Sequence, residues 1–315
     1  RQTPPLISRG KAGGKTMAKA DGGLMDPTPY LNEWASVKVS YMTRDLLLYA
    51  LGIGSSNRRH TYEYDEDFEA FPTYPLVLGF KGTDQDVVDF PSEAMQAGAR
   101  LPPLPGVKVG LDGERYVEML KPIPPEGGDF ILKSRVVGVH KRGSGASVEQ
   151  EAVLVGEDGE EYYRLFGGSF LVGAKNFKDA GTSNFPKVKP PARAPDRVVS
   201  MTVPEYQAQL YRLSGDYNPL HIDPEFASGA GFKKPILHGL CSLGMSCRAV
   251  LDTYCAGGAD RFKAIKVRFA SPVLPGSTLN VEMWAEGDRI FFVTKVDGKA
   301  VINNAYVDLR PAAKL

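Results

Sequence analysis

Two parts of this 315-residue chain echo each other in the same order, which constrains its architecture more than any other feature. Leu48-Tyr49-Ala50-Leu51-Gly52 returns as Leu210-Tyr211-Arg212-Leu213-Ser214, 162 positions on. Pro72-Thr73-Tyr74-Pro75-Leu76 returns as Pro235-Ile236-Leu237-His238-Gly239, 163 positions on. Lys121-Pro122-Ile123-Pro124-Pro125 matches Ser271-Pro272-Val273-Leu274-Pro275 at 150. After each proline-rich turn the pattern becomes alternating strands with glycine turns, including Gly287-Asp288 and Asp297-Gly298 as hairpin turns. Each half therefore reads as a helix followed by an antiparallel meander.

Between the halves, residues 173–196 combine prolines, lysines and glycines, the composition of a linker. The first residues are rich in glycine and lysine without periodicity and read as a disordered lead-in, with an N-terminal arginine that marks a processed, tagged or excised chain. The expected division is a lead-in over 1–27, a first half over 28–172, the linker, a second half over 197–312 and a terminal tripeptide over 313–315. Leu240, Leu243, Gly244, Cys247, Val250 and Leu251 recur at helical spacing over residues 239–254. A helix apolar on so much of its surface is expected to be wrapped by the sheet. That is an α+β double hot-dog fold, with an antiparallel sheet around a long central helix in each half.

Lysine plus arginine, 38, nearly balances aspartate plus glutamate, 37, so the overall charge gives no case for nucleic acid or an anionic membrane. No apolar run approaches the ~20 residues of a membrane-spanning helix. Cys241, Cys247 and Cys255 form no CxxC pair, which favours a reducing compartment. Cys241 and Cys247 lie about 240° apart on a helix, as packing residues would.

The segment from residue 211 to 245 holds Asp216, Asn218, His221, Asp223 and His238, with Gly239 opening the helix. Gly215-Asp216-Tyr217-Asn218-Pro219 is turn chemistry, so a loop presents the polar side chains directly after a helix. Taken singly, Asp216 fits an ordinary Asx-turn and His221 a satisfied loop histidine. Together they offer an acid, a base and an amide holder for water, while Gly239 offers an unpaired helix N-terminal N–H for an oxyanion. His238 reads as a residue ordering that turn. A metal site would use the same residues, but no HExxH, CxxC or calcium-loop spacing accompanies them. No G-x-G-x-x-G opens a dinucleotide site. Lys263, Lys266 and Arg268 read either as a solvated strand face or as neutralisers of phosphate.

The stretch Tyr211–Met245 resembles the hydratase 2 family, (R)-specific enoyl-CoA hydratases of MaoC-like type. The likeness continues through TYEYDEDFEAFPTY from Thr61, YVEMLKPIP from Tyr116 and RFKAIKVRFASPVLPGSTL from Arg261, covering roughly 28–310. It implies hydration of trans-2-enoyl-CoA to (3R)-3-hydroxyacyl-CoA with Asp216, Asn218, His221 and Gly239 as the catalytic set. It further implies acyl-CoA contacts at Asp112, Gly113, Arg142, Tyr217, Pro219, Leu220 and Phe269, no metal or other cofactor, and a homodimer. Asp112 stands where animal relatives carry histidine. Under the repeat, Asp216, Asn218 and His221 fall opposite Gly54, Ser56 and Arg59, and Gly239 opposite Leu76, so one active site per chain is expected, with the first half shaping the acyl tunnel. The alternatives are a hot-dog acyl-CoA thioesterase and a non-enzymatic acyl-CoA-binding or assembly module. Ala313-Lys314-Leu315 is a variant of the Ser-Lys-Leu address read by the peroxisomal import receptor, which places the expected activity in the peroxisome.

Overall fold

The computed structural model describes residues 23–311. Most of the expected lead-in and the tripeptide Ala313-Lys314-Leu315 lie outside the described residues. Eleven strands form one sheet: β1 (Ala35–Met42), β2 (Val109–Met119), β3 (Gly127–Arg142), β4 (Gly145–Gly156), β5 (Glu161–Val172), β6 (Ala180–Gly181), β7 (Arg197–Thr202), β8 (Phe262–Phe269), β9 (Thr278–Glu286), β10 (Arg289–Val296) and β11 (Lys299–Leu309). Their order is β1-β3-β4-β5-β2-β8-β11-β10-β9-β7, with β6 beside β3. Read outward from the centre, the first half (β2, β5, β4, β3, β1) and the second (β8, β11, β10, β9, β7) have the same plan. The two meet where β2 and β8 pair antiparallel, from Glu114 opposite Arg268 to Glu118 opposite Ala264.

The double hot-dog architecture is present, with two departures from the sequence reading. Neither half is a plain meander, because β2 and β8 precede their three-strand meanders in the chain yet lie beyond the last strand of each. The long central helix is confined to the second half. There, α7 (Gly239–Tyr254) follows α5 (Gln207–Tyr211) and α6 (Pro224–Gly229). The first half has α1 (Thr43–Gly52), α2 (Arg58–Thr61), α3 (Leu78–Lys81) and α4 (Glu93–Ala97), and its counterpart of α7 is only the 3-10 turn Tyr74–Val77 running into α3. That helix stops at Gly82, whose φ of +65° leaves the helical region. A side chain there would meet the Ala94 Cβ at 2.9 Å, so the following segment packs directly against the stop.

Along α7, Leu240, Leu243, Val250 and Leu251 are buried, each contributing roughly 1.5–3 kcal/mol through removal from water. Gly244 lets this helix pack closely on Ile53, the residue that ends α1, since an added Cβ would lie 2.4 Å from Ile53 Cγ2. The second half also caps α1. Gln207 Nε2 and Cys241 Sγ donate to the Gly52 carbonyl, and Arg248 Nε donates to that of Ile53. These bonds satisfy carbonyls that a helix C-terminus otherwise leaves open.

Residues 173–196 are tied down at several points. β6 pairs with β3, Ser183 Oγ and the Asn184 amide donate to buried Glu149, and the Val188 amide donates to Asn304 Oδ1. Lys266 is buried rather than solvated, and its Nζ lies 2.8 Å from Glu114 Oε2 and 2.9 Å from the Asn304 carbonyl. β8 has a strand on either side, so Lys266 is enclosed at the junction and its charge is already spent on Glu114, unlike a phosphate-binding lysine.

Candidate active site

Four consecutive residues build the site. The segment before α7 is fixed by the Leu237 amide donating to the Val273 carbonyl at 2.8 Å. Ile236, just before it, presents its carbonyl to His221 Nδ1 at 2.9 Å, and His238, just after it, places Nε2 3.2 Å from the Asp216 carbonyl. Gly239 then opens α7. The His238 carbonyl accepts from the Cys241 and Ser242 amides, which leaves the N–H groups of Gly239 and Leu240 as the unpaired donors of the helix start among the described residues. The loop Gly215–His221 is thus held by the same short segment that aims the helix.

Within that loop, Asp216 Oδ1 accepts from the Asn218 amide at 3.3 Å, and Asn218 Oδ1 accepts from the Leu220 amide at 3.0 Å as N-cap of the turn Pro219–His221. The acceptor of Asn218 is therefore committed, and its side-chain N–H₂ is the end left to hold a water. A carbonyl can only accept, so His221 carries its proton on Nδ1 and keeps Nε2 as the lone-pair nitrogen. Asp223 serves locally, capping α6 through the Glu225 and Phe226 amides.

Burial sets the electrostatics. Asp216 is 7% exposed, and its carboxyl is pushed up to about 6 chiefly by that burial. The charge of Asp112 adds to the rise, and the Asn218 amide and Arg115 oppose it. His221 is 9% exposed and is lowered by burial to about 4, against the pull of the Ile236 carbonyl. His238, also buried, lies well below its ordinary value for the same reason. Both imidazoles are neutral near pH 7.

Asp216, Asn218 and His221 line a cavity of about 360 Å³ with a mainly apolar wall. Asp216, Asn218, Leu220, His221 and Gly239 face it from the second half, with Phe269 beside them; a Cβ on Gly239 would touch the Phe269 ring at 3.4 Å. Asp112 faces it from the first half. Four expected contacts lie off this wall. Gly113 sits at the β2 irregularity against the Gly168 carbonyl, Tyr217 lies under the Arg212 guanidinium at 4.8 Å, and Pro219 opens its turn. Arg142 is exposed at the end of β3, donating to the Lys141 carbonyl.

The sequence reading missed Arg115, Phe80, Phe90 and Met95, all on the same wall. Arg115 Nε lies 2.9 Å from Asp112 Oδ1. Residues three apart on a strand normally face opposite ways, but the register shift between Asp112 and Glu114 turns both into the cavity. Its signal was Gly113, a glycine inside an alternating strand.

Among the described residues, Asp216, His221 and His238 bring possible ligand atoms within 4.8 Å of one another. The two imidazoles stack at 3.7 Å with a 29° tilt, so their in-plane lone pairs run side by side instead of converging on an ion. Each also has one nitrogen engaged with a carbonyl. The arrangement suits proton transfer better than coordination.

Residues 39–173 match the model of the MFE-2 hydratase 2 N-terminal domain, and residues 186–305 match the MaoC like domain. The chain is 33% identical to the peroxisomal enoyl-CoA hydratase 2 of Arabidopsis thaliana, over 93% of this chain and 98% of that protein. It is 40% identical to the peroxisomal multifunctional enzyme type 2 of Drosophila melanogaster, over 95% of this chain but only 51% of that longer protein. A MaoC-like dehydratase from Phytophthora capsici superposes with a TM-score of 0.86 at 41% identity, covering 91% of this chain and 98% of that one. With both halves matched and full-length relatives at this identity, the chain belongs to the MaoC-like hydratase 2 family.

Proposed function

We propose that the chain is an (R)-specific enoyl-CoA hydratase, a hydro-lyase that adds water to trans-2-enoyl-CoA to give (3R)-3-hydroxyacyl-CoA in peroxisomal fatty acid β-oxidation. One observation carries this reading: a buried acid, Asp216, and a buried neutral base, His221, share one cavity wall with the open N-terminus of α7. Hydration needs those three functions together. His221 Nε2 takes a proton from water as the oxygen bonds to C3, and the C2=C3 electron pair shifts towards the thioester. The developing negative oxygen is met by the Gly239 amide, a class of interaction worth about 3 kcal/mol. Asp216 protonates C2, and the proton on His221 returns to the Asp216 carboxylate within the same cluster. The Asn218 amide group holds the water.

The apolar wall with Phe80, Phe90 and Met95 receives the acyl chain, with Asp112, Leu220 and Phe269 near the reacting end. Gly113, Arg142, Tyr217 and Pro219 serve the part of CoA outside the cavity. The domain reading follows: residues 28–172 bind and 197–312 catalyse. The reaction uses no cofactor, CoA being part of the substrate. Self-association as a homodimer and import through Ala313-Lys314-Leu315 complete the proposal; light scattering and relocation on tripeptide deletion test them.

Crotonyl-CoA or a longer enoyl-CoA should lose its conjugated absorbance on addition of the protein, with 3R product. His221→Ala should lower kcat by about 10²–10⁴. Exclusive 3S product, or free CoA released at the rate of absorbance loss, would replace this reading with another, the second outcome pointing to a thioesterase.

A further inference from the structure

His238 touches all three catalytic elements of the proposed hydratase while its side chain is absent from the cavity wall. Its ring lies against that of His221 at 3.7 Å, its Nε2 donates to the Asp216 carbonyl at 3.2 Å, and it is the residue whose peptide bond supplies the Gly239 amide. It is 1% exposed, with Tyr211 behind it, the ring centroids 5.0 Å apart. We infer that His238 is a positioning residue which locks Asp216, His221 and the Gly239 amide into one rigid unit, an inference that rests on the hydratase reading.

Each contact has its own consequence. The bond to the Asp216 carbonyl anchors the loop from its backbone, so the carboxyl is left to react and keeps only the Asn218 amide. The ring stack limits rotation of His221, whose other restraint is the bond to the Ile236 carbonyl. Burial keeps this ring neutral against the pull of the Asp216 carbonyl, so it sets no positive charge beneath the base. In the repeat, His238 falls opposite Pro75, in the half where Gly54 and Arg59 stand in place of Asp216 and His221. A residue needed only to turn the chain into a helix has no such reason to differ between the copies.

The test separates the two contacts. His238→Gln keeps a donor that reaches the Asp216 carbonyl, His238→Phe keeps the stacked ring, and His238→Ala keeps neither. With a saturating enoyl-CoA, the alanine variant should lose about a hundredfold in kcat while KM changes less than about threefold, the scale of an ångström-level misplacement. The glutamine and phenylalanine variants should each recover part of that loss. The four histidines, His60, His140, His221 and His238, allow imidazole NMR signals to be assigned by substitution. The Nδ1–H signal of His221 should move in the alanine and glutamine variants and least with phenylalanine.

Wild-type kcat in the alanine variant, a loss confined to KM, or glutamine and phenylalanine no better than alanine would overturn the inference. If the alanine variant does not fold, the other two against wild type decide it. A wild-type protein without hydratase activity would sink the functional reading alone, since the His221 signal still reports whether His238 restrains it.

Discussion

Replacing Asp216 by asparagine should stabilise the protein, by an amount that grows with pH. In the folded state its carboxyl is pushed from 3.8 to about 6, mainly because the charged form is buried. Between those values the native protein retains a proton that the unfolded chain has released, so stability falls as pH rises and the cost is complete above about pH 6. A shift of roughly two units corresponds to about 3 kcal/mol. His221 has the opposite slope. Its value is lowered from 6.5 to about 4, so the unfolded chain binds the extra proton and stability rises with pH across that window. Wild type alone therefore shows two trends that partly cancel, whereas the difference between wild type and Asp216→Asn isolates the carboxyl. Asparagine retains the acceptor for the Asn218 amide. In urea unfolding from pH 4.5 to 7.5, the variant's advantage should increase with pH and approach about 3 kcal/mol at the upper end, with hydration lost throughout. A difference that does not change with pH, or a variant less stable than wild type at pH 7.5, would refute burial as the source of the shift.

Three further outcomes follow from the same geometry. Because the proposed reaction uses neutral His221 and protonated Asp216, kcat/KM should rise through about pH 4 and fall through about pH 6, measured as initial rates on free enzyme. Gly244→Ala should cost about 1–3 kcal/mol in denaturant unfolding, because its methyl lands 2.4 Å from Ile53 Cγ2 where α7 packs on the end of α1. Lys81→Met strands the buried Asp45 carboxylate that now lies 3.3 Å from Lys81 Nζ, at a cost of about 3 kcal/mol; an unchanged denaturation midpoint would count against that ion pair.

The second half was legible in the sequence because its signals are local. Asp297-Gly298 both adopt positive φ between β10 and β11, as their dipeptide demands, and the apolar spacing over 239–254 is the buried face of α7. Asp216, Asn218 and His221 converge because one loop carries them. The opposite wall was not legible. Phe80, Phe90, Met95 and Arg115 stand more than 100 positions before Asp216, and nothing in their neighbourhoods tells which strands will abut. The short α3 was hidden for a related reason, since Pro72–Leu76 resembles its counterpart up to the point where the two copies part. Proton placement on His221 depends on the Ile236 carbonyl, 15 residues away, a contact that only the folded turn creates.

The loss of the central helix in the first half and the making of the cavity are one structural event. Where α7 continues for 16 residues, the first half stops at Gly82 and sends the chain through α4, which brings Phe90 and Met95 to the cavity. On the proposed reading, a full-length helix in that place would occupy the room the acyl chain needs. In the second half the helix is kept, and its N-terminus presents Gly239 to the cavity. On the proposed reading, reaction and binding are divided between two copies of one plan. The copies stay bound by interactions neither can replace alone: the α1 carbonyls capped by Gln207, Cys241 and Arg248, and Lys266 of one half neutralised by Glu114 of the other. An isolated second half would leave the Lys266 ammonium without that partner and the apolar cavity open on one side. On the proposed reading, catalysis in the second half therefore depends on the half that holds no counterpart of Asp216 or His221.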